Sequence, residues 1–124
     1  MTNSNKKVLI VEDEEFLLDI YQKKFESLGY KVTARTDGRD CLELARLEKF
    51  NLILLDIILP GKDGYQILKE LKADAAVKNI KVLVMSNLGQ KEEIDKALNL
   101  GAADYVIKAN LTPKELVEKA IKFI

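Results

Sequence analysis

Leu52-Ile53-Leu54-Leu55-Asp56-Ile57-Ile58-Leu59-Pro60-Gly61-Lys62-Asp63-Gly64 packs a strand, an acid and a turn into one short segment. Its first four residues are apolar without alternation, the pattern of a parallel strand covered on both faces. An acid closes the run, and Pro60-Gly61 and Asp63-Gly64 supply turn chemistry before helical spacing begins at Ile67, Leu68 and Leu71. The same kind of run recurs at Val8-Leu9-Ile10-Val11, Val82-Leu83-Val84-Met85 and Tyr105-Val106-Ile107, while the more polar Lys31-Val32-Thr33-Ala34 reads as an edge strand.

Helical patterns fill the intervals: Leu17, Ile20, Tyr21, Phe25 and Leu28, then Cys41, Leu42, Leu44 and Ala45, then Ile94, Ala97 and Leu98. Leu116, Val117, Ala120, Ile121 and Ile124 form a last stripe, with Lys114, Glu118, Lys119 and Lys122 off it. Thr112-Pro113-Lys114-Glu115 spells a capping box with Pro at the first helical position. Gly29 and Gly101 are natural helix stops. Five β-then-α units follow, and the right-handed crossover rule folds them into a doubly wound α/β sheet.

The chain has 124 residues, enough for one hydrophobic core, so residues 1–124 are expected to be one domain with a loose end at residues 1–5. Lysine plus arginine and aspartate plus glutamate number 20 each, and 17 of the 20 cations are scattered lysines, so no basic track for nucleic acid exists. There is no histidine and a single cysteine, Cys41, which removes histidine acid–base chemistry, zinc fingers and an internal disulfide. No signal-peptide pattern or membrane-length apolar run appears, so a cytoplasmic location is expected.

In such a sheet, ligands bind beyond the carboxyl ends of the strands, where strand order reverses. The first strand ends in Glu12-Asp13, the third in Asp56, the fourth in Ser86 and the fifth in Lys108. If the first and third strands flank that point, three carboxylates converge there and need a cation, and an all-oxygen donor set suits Mg²⁺. With Lys108 and Ser86 opposite, Asp56 is a reasonable phosphoryl acceptor, because phosphoryl transfer depends mainly on positioning and charge neutralisation. Simpler roles stand beside these: helix capping for Glu12 and Asp13, a turn for Asp56, a surface lysine for Lys108, a strand-end hydroxyl for Ser86 and packing for Tyr105.

From Lys7 to Ile124 the sequence resembles a receiver domain of a two-component response regulator. The resemblance rests on Val8 to Glu14, on Leu54 to Gly64, on Ser86, and on Gly101-Ala102-Ala103-Asp104-Tyr105-Val106-Ile107-Lys108. It implies a flavodoxin-like (βα)5 fold with strand order 2-1-3-4-5. It also implies that Asp56 takes a phosphoryl group from a phosphohistidine on a sensor histidine kinase or phosphotransfer protein. Asp13 and Asp56 would bind Mg²⁺ directly, with Mn²⁺ as a substitute. Glu12 would bind it through water, and the Ile58 backbone carbonyl would complete the protein ligands.

Lys108 and Ser86 would hold phosphoryl oxygens, and Tyr105 would be the aromatic switch that turns inward as Ser86 moves. The output surface implied is the fourth helix, fifth strand and fifth helix, acting on a target protein or output domain, as a monomer or a phosphorylation-dependent dimer. Such a module catalyses its own phosphotransfer and dephosphorylation, yet is a signalling switch rather than an enzyme.

The sequence departs from the family pattern at Ala109, where proline is usual after the lysine, and at Asn87, where a small residue is usual after Ser86. The first departure predicts a trans Lys108–Ala109 bond with a shifted loop, or a cis bond kept at a cost of about 2.5–4 kcal/mol. The second predicts an altered phosphoryl lifetime. Ala103, and a last helix lacking arginine, weigh against a dimer through the fourth-helix face. The alternative function is a receiver-like interaction scaffold not regulated by phosphorylation. An aspartate-nucleophile phosphatase would want an acid where Ile58 stands, and no glycine-rich phosphate loop follows the first strand.

Overall fold

The computed structural model describes residues 5–124. The loose end expected at residues 1–5 therefore lies, apart from Asn5, outside the described residues. Five parallel strands run in the order β2-β1-β3-β4-β5: β1 Lys7–Val11, β2 Lys31–Arg35, β3 Leu52–Asp56, β4 Lys81–Ser86 and β5 Asp104–Ile107. Five α-helices alternate with them: α1 Glu15–Ser27, α2 Cys41–Glu48, α3 Gly64–Ala73, α4 Lys91–Asn99 and α5 Pro113–Ala120. Strand order reverses between β1 and β3, whose register pairs Val11 with Leu55 and so brings Glu12 and Asp56 out of the sheet side by side.

The unbroken apolar runs serve two cores. Val8, Ile10, Leu52, Leu54, Leu83 and Met85 pack with α1 and α5, around Leu18, Tyr21, Phe25, Leu116 and Ala120. Their alternates Leu9, Val11, Ile53, Leu55, Val82 and Val84 pack with α2, α3 and α4, around Cys41, Ala45, Ile67, Leu68, Leu71 and Ala97. Every residue of β3 is buried, whereas no residue of the edge strand β2 is fully so.

Local chemistry sets the boundaries. Thr112 Oγ1 accepts the Glu115 N–H at 3.1 Å and Glu115 Oε1 accepts the Thr112 N–H at 2.9 Å, which is the capping box expected at α5. Gly29 and Gly101 stop α1 and α4 at φ 96° and 107°. α2 ends differently, on Lys49 in the left-handed region at φ 54°.

Three expectations need adjustment. The stripe of α1 centres on Leu18, Tyr21 and Phe25, not on Leu17 and Ile20, and Leu98 of α4 is left exposed. The last stripe is not all α-helical: after Ala120 the chain tightens into a 3₁₀ turn, Ile121–Phe123, whose Ile121 and Phe123 still pack on the α1–α5 core.

Gly64 sets the approach of α3 to the site. Its N–H donates to the Ile57 carbonyl at 2.8 Å, and a Cβ there would fall 2.5 Å from the Ile57 Cα, against backbone that cannot swing aside. Gly64→Ala is expected to lower stability by about 2 kcal/mol by pushing α3 off the segment that carries Asp56. Urea unfolding checks this, and an unchanged midpoint would contradict it.

Candidate functional site

Glu12, at the end of β1, is fully buried, Asp13 beside it is exposed, and Asp56, the last residue of β3, is 3% exposed. One carboxylate oxygen from each of the three lies within 4.8 Å of the others. Lys108, directly after β5, spans them: Nζ donates to Asp56 Oδ2 at 2.8 Å and to Glu12 Oε1 at 2.9 Å, with Glu14 Oε1 at 3.8 Å. Its side chain is only 7% exposed, so this is a buried ion cluster and not one more surface lysine.

Further backbone donors hold the acids in place. The Ile58 N–H donates to Asp56 Oδ1 at 3.1 Å, and the Glu14 N–H donates to Glu12 Oε2 at 3.0 Å. α1 is capped at Glu14 with no side-chain cap bond, so capping does not account for Glu12 or Asp13. Burial pushes the Glu12 carboxyl up to about 7, with the nearby Asp56 charge adding to it and the Glu14 N–H and Lys108 opposing it. Burial also works against the Lys108 ammonium, but its hydrogen bonds to Asp56 and Glu12 prevail and hold it above the ordinary lysine range. Buried Tyr21 of α1 feels the same charges. Its phenol is pushed up to about 12, by burial first and then by Glu12.

Two carboxylates share one ammonium here, and a third acid stands at the solvent edge. The donor set is all oxygen and one cation short, which fits a hard divalent ion such as Mg²⁺. Ser86, buried at the end of β4, accepts the Leu88 N–H at Oγ, 3.1 Å away. Tyr105 of β5 is turned inward, 8% exposed, and its hydroxyl donates to the Leu88 carbonyl at 2.7 Å. Ile58 is exposed beside Asp56.

Sequence reasoning placed Glu12, Asp13, Asp56, Ser86 and Lys108 at the ends of their strands. It missed the bond from the Tyr105 hydroxyl to the loop after Ser86, and it missed a bond between the two departures it had singled out. The Ala109 N–H donates to Asn87 Oδ1 at 3.0 Å. The Lys108–Ala109 peptide is trans, one of the two alternatives expected, and Lys108–Asn110 forms a 3₁₀ turn. No sequence pattern marked that turn.

Among the described residues, no helix is long and apolar enough to cross a membrane. Residues 8–121 match the family model described as the response regulator receiver domain. The alkaline phosphatase synthesis transcriptional regulatory protein PhoP of Bacillus subtilis is 39% identical over 114 residues, 90% of this chain and 45% of its own length. The response regulator SaeR of Staphylococcus aureus is 39% identical over 110 residues, covering 89% of this chain and 46% of its own. The chain thus spans about half the length of the curated relatives it matches. Among solved structures, a CheY-like receiver domain protein from Methanospirillum hungatei superimposes with a TM-score of 0.85 at 30% identity, over 94% of this chain and 91% of that one. A Francisella response regulator receiver domain gives 0.85 at 28% identity, over 95% of each chain. Matched by that model over residues 8–121, the chain belongs to the response regulator receiver domain family.

Proposed function

We propose that Asp56 is the phosphoacceptor of a two-component signalling switch, charged by a sensor histidine kinase or phosphotransfer protein. The observation that carries this is the clamp of Lys108 on Asp56 Oδ2 and Glu12 Oε1 at 2.8 and 2.9 Å, inside a cluster of three acids. A carboxylate oxygen of Asp56 attacks phosphorus, the P–N bond of the phosphohistidine breaks, and its electron pair leaves with the imidazole. Lys108 offsets the negative charge on the phosphoryl oxygens, and the Ser86 hydroxyl donates to one of them.

Glu12, Asp13, Asp56 and the backbone carbonyl of Ile58 would hold Mg²⁺, or Mn²⁺ in its place, which when bound supplies further charge neutralisation at the phosphoryl oxygens. Tyr105 reports the state of the loop after Ser86 to the face formed by α4, β5 and α5, where a target protein or an output domain docks. The module is a switch with self-directed chemistry, working in the cytoplasm with protein partners and without direct contact to nucleic acid.

Incubation with Mg²⁺ and a small acyl phosphate, followed by intact mass, tests this. The wild type is expected to gain one phosphoryl group, and Asp56→Asn or chelation of the metal to prevent it. No gain from the small donor or from a kinase would favour the phosphate-independent scaffold.

A further inference from the structure

The end of β4 and the loop that follows it are tied at three successive residues. Ser86 Oγ takes the Leu88 N–H, Asn87 Oδ1 takes the Ala109 N–H, and the Leu88 carbonyl takes the Tyr105 hydroxyl. Two of these ties run to β5 and the turn after it, and they bracket Lys108: one three residues before it, one immediately after. Because its partner is an N–H, the oxygen end of the Asn87 carboxamide is the end that faces Ala109.

We propose that Asn87 is a positioning residue for Lys108: its bond to the Ala109 N–H holds the 3₁₀ turn Lys108–Asn110 and joins the loop after Ser86 to the ammonium on Asp56. The turn starts on Lys108 itself and is closed by the Leu111 N–H on the Lys108 carbonyl at 3.3 Å, a weak bond by its length. The Asn87 bond adds a second anchor. A proline at 109 would have no N–H to donate and would disfavour helical backbone at Lys108, so this device requires a residue such as alanine there. Asn87 and Ala109 are both exposed, so neither side chain fills the core, and variants at both are expected to keep the fold.

The proposal rests on the reading of Asp56 as phosphoacceptor for its rate effect alone. Three quantities are measured on Asn87→Ala, Ala109→Pro, the double variant and Asn87→Asp: amide exchange at Ala109 where an N–H remains, the NMR signal of the Lys108 side-chain Cε, and the Mg²⁺-dependent rate of phosphoryl uptake from a small acyl phosphate. Asn87→Ala is expected to speed Ala109 exchange about fivefold, to shift the Lys108 signal, and to slow uptake about threefold. Asn87→Asp, which keeps the acceptor oxygen, is expected to keep Ala109 protected. In the Ala109→Pro background, Asn87→Ala is expected to change the rate by less than about 1.5-fold, because the shared bond is already gone. Faster Ala109 exchange with the Lys108 signal unmoved, or rate effects that multiply in the double variant, would overturn the proposal. A wild type that takes up no phosphoryl group would sink the reading of Asp56, while the Lys108 signal would still decide the role of Asn87.

Discussion

Lys108→Ala is expected to lower the stability of the metal-free protein by about 3 kcal/mol or more at pH 8, and by clearly less at pH 5. In the wild type, one ammonium compensates Glu12 and Asp56, both buried. Removing one partner of a buried ion cluster leaves uncompensated charge, which costs about 3–5 kcal/mol. At pH 5 the Glu12 carboxyl carries a proton, so one of the two stranded charges is absent and the loss shrinks. Urea unfolding at the two pH values measures this. Equal and small losses at both would mean that Lys108 is not the counter-ion of the cluster. The same variant is expected to take up phosphoryl groups at least tenfold more slowly, by the usual worth of one charged donor on a developing oxyanion.

The stability of the metal-free wild type is expected to fall as pH rises from about 5 to about 7.5. The folded Glu12 carboxyl titrates near 7 against an ordinary value of 4.5, so between those values the folded state binds more protons than the unfolded one. Stability therefore declines with pH across that window, and the full difference amounts to about 3 kcal/mol at 1.36 kcal/mol per pH unit. Other shifted groups act elsewhere. Glu70 is lowered by Lys62 and Asp74 by Arg46, so each contributes stability that is lost only as pH falls below the ordinary carboxylate range. Lys108 is raised, and its contribution is present below 10.5 and lost at higher pH. The chain has no histidine, the one side chain whose ordinary pKa would fall in this window.

Glu12→Gln is thus expected to flatten the slope. Mg²⁺ is expected to raise stability at pH 8, by about 2.7 kcal/mol at a hundredfold excess over its dissociation constant. Stability that rises between pH 5 and 7.5 in the metal-free wild type would contradict the protonated state of Glu12.

The strands were legible because residues such as Leu52 to Leu55 meet an apolar core on each side, which forbids polar alternation. β2 was legible as an edge for the opposite reason. Glu12, Asp13 and Asp56 could be found because a parallel sheet sends its strand ends to one edge, so chain position alone places them. The same logic placed Lys108 but not what it touches, since a long flexible side chain has many reachable partners. Asn87–Ala109 and Tyr105–Leu88 were illegible for a different reason: both depend on how closely two loops approach, and loop spacing is set by the packed sheet rather than by local pattern. Leu98 fits a helical stripe, yet α4 turns it outward, because Ala97 meets the sheet instead.

In the proposed switch a phosphoryl group becomes attached to the carboxylate of Asp56. An acyl phosphate can be trapped by hydride reduction, which releases the phosphate and leaves an alcohol in place of the carboxyl group. After incubation with Mg²⁺ and a small acyl phosphate, then borohydride and proteolysis, peptide mass spectrometry should find position 56 alone converted to homoserine, with Asp13 and Glu12 unchanged. Conversion at another carboxylate, or none at position 56 in protein whose intact mass shows a bound phosphoryl group, would contradict it.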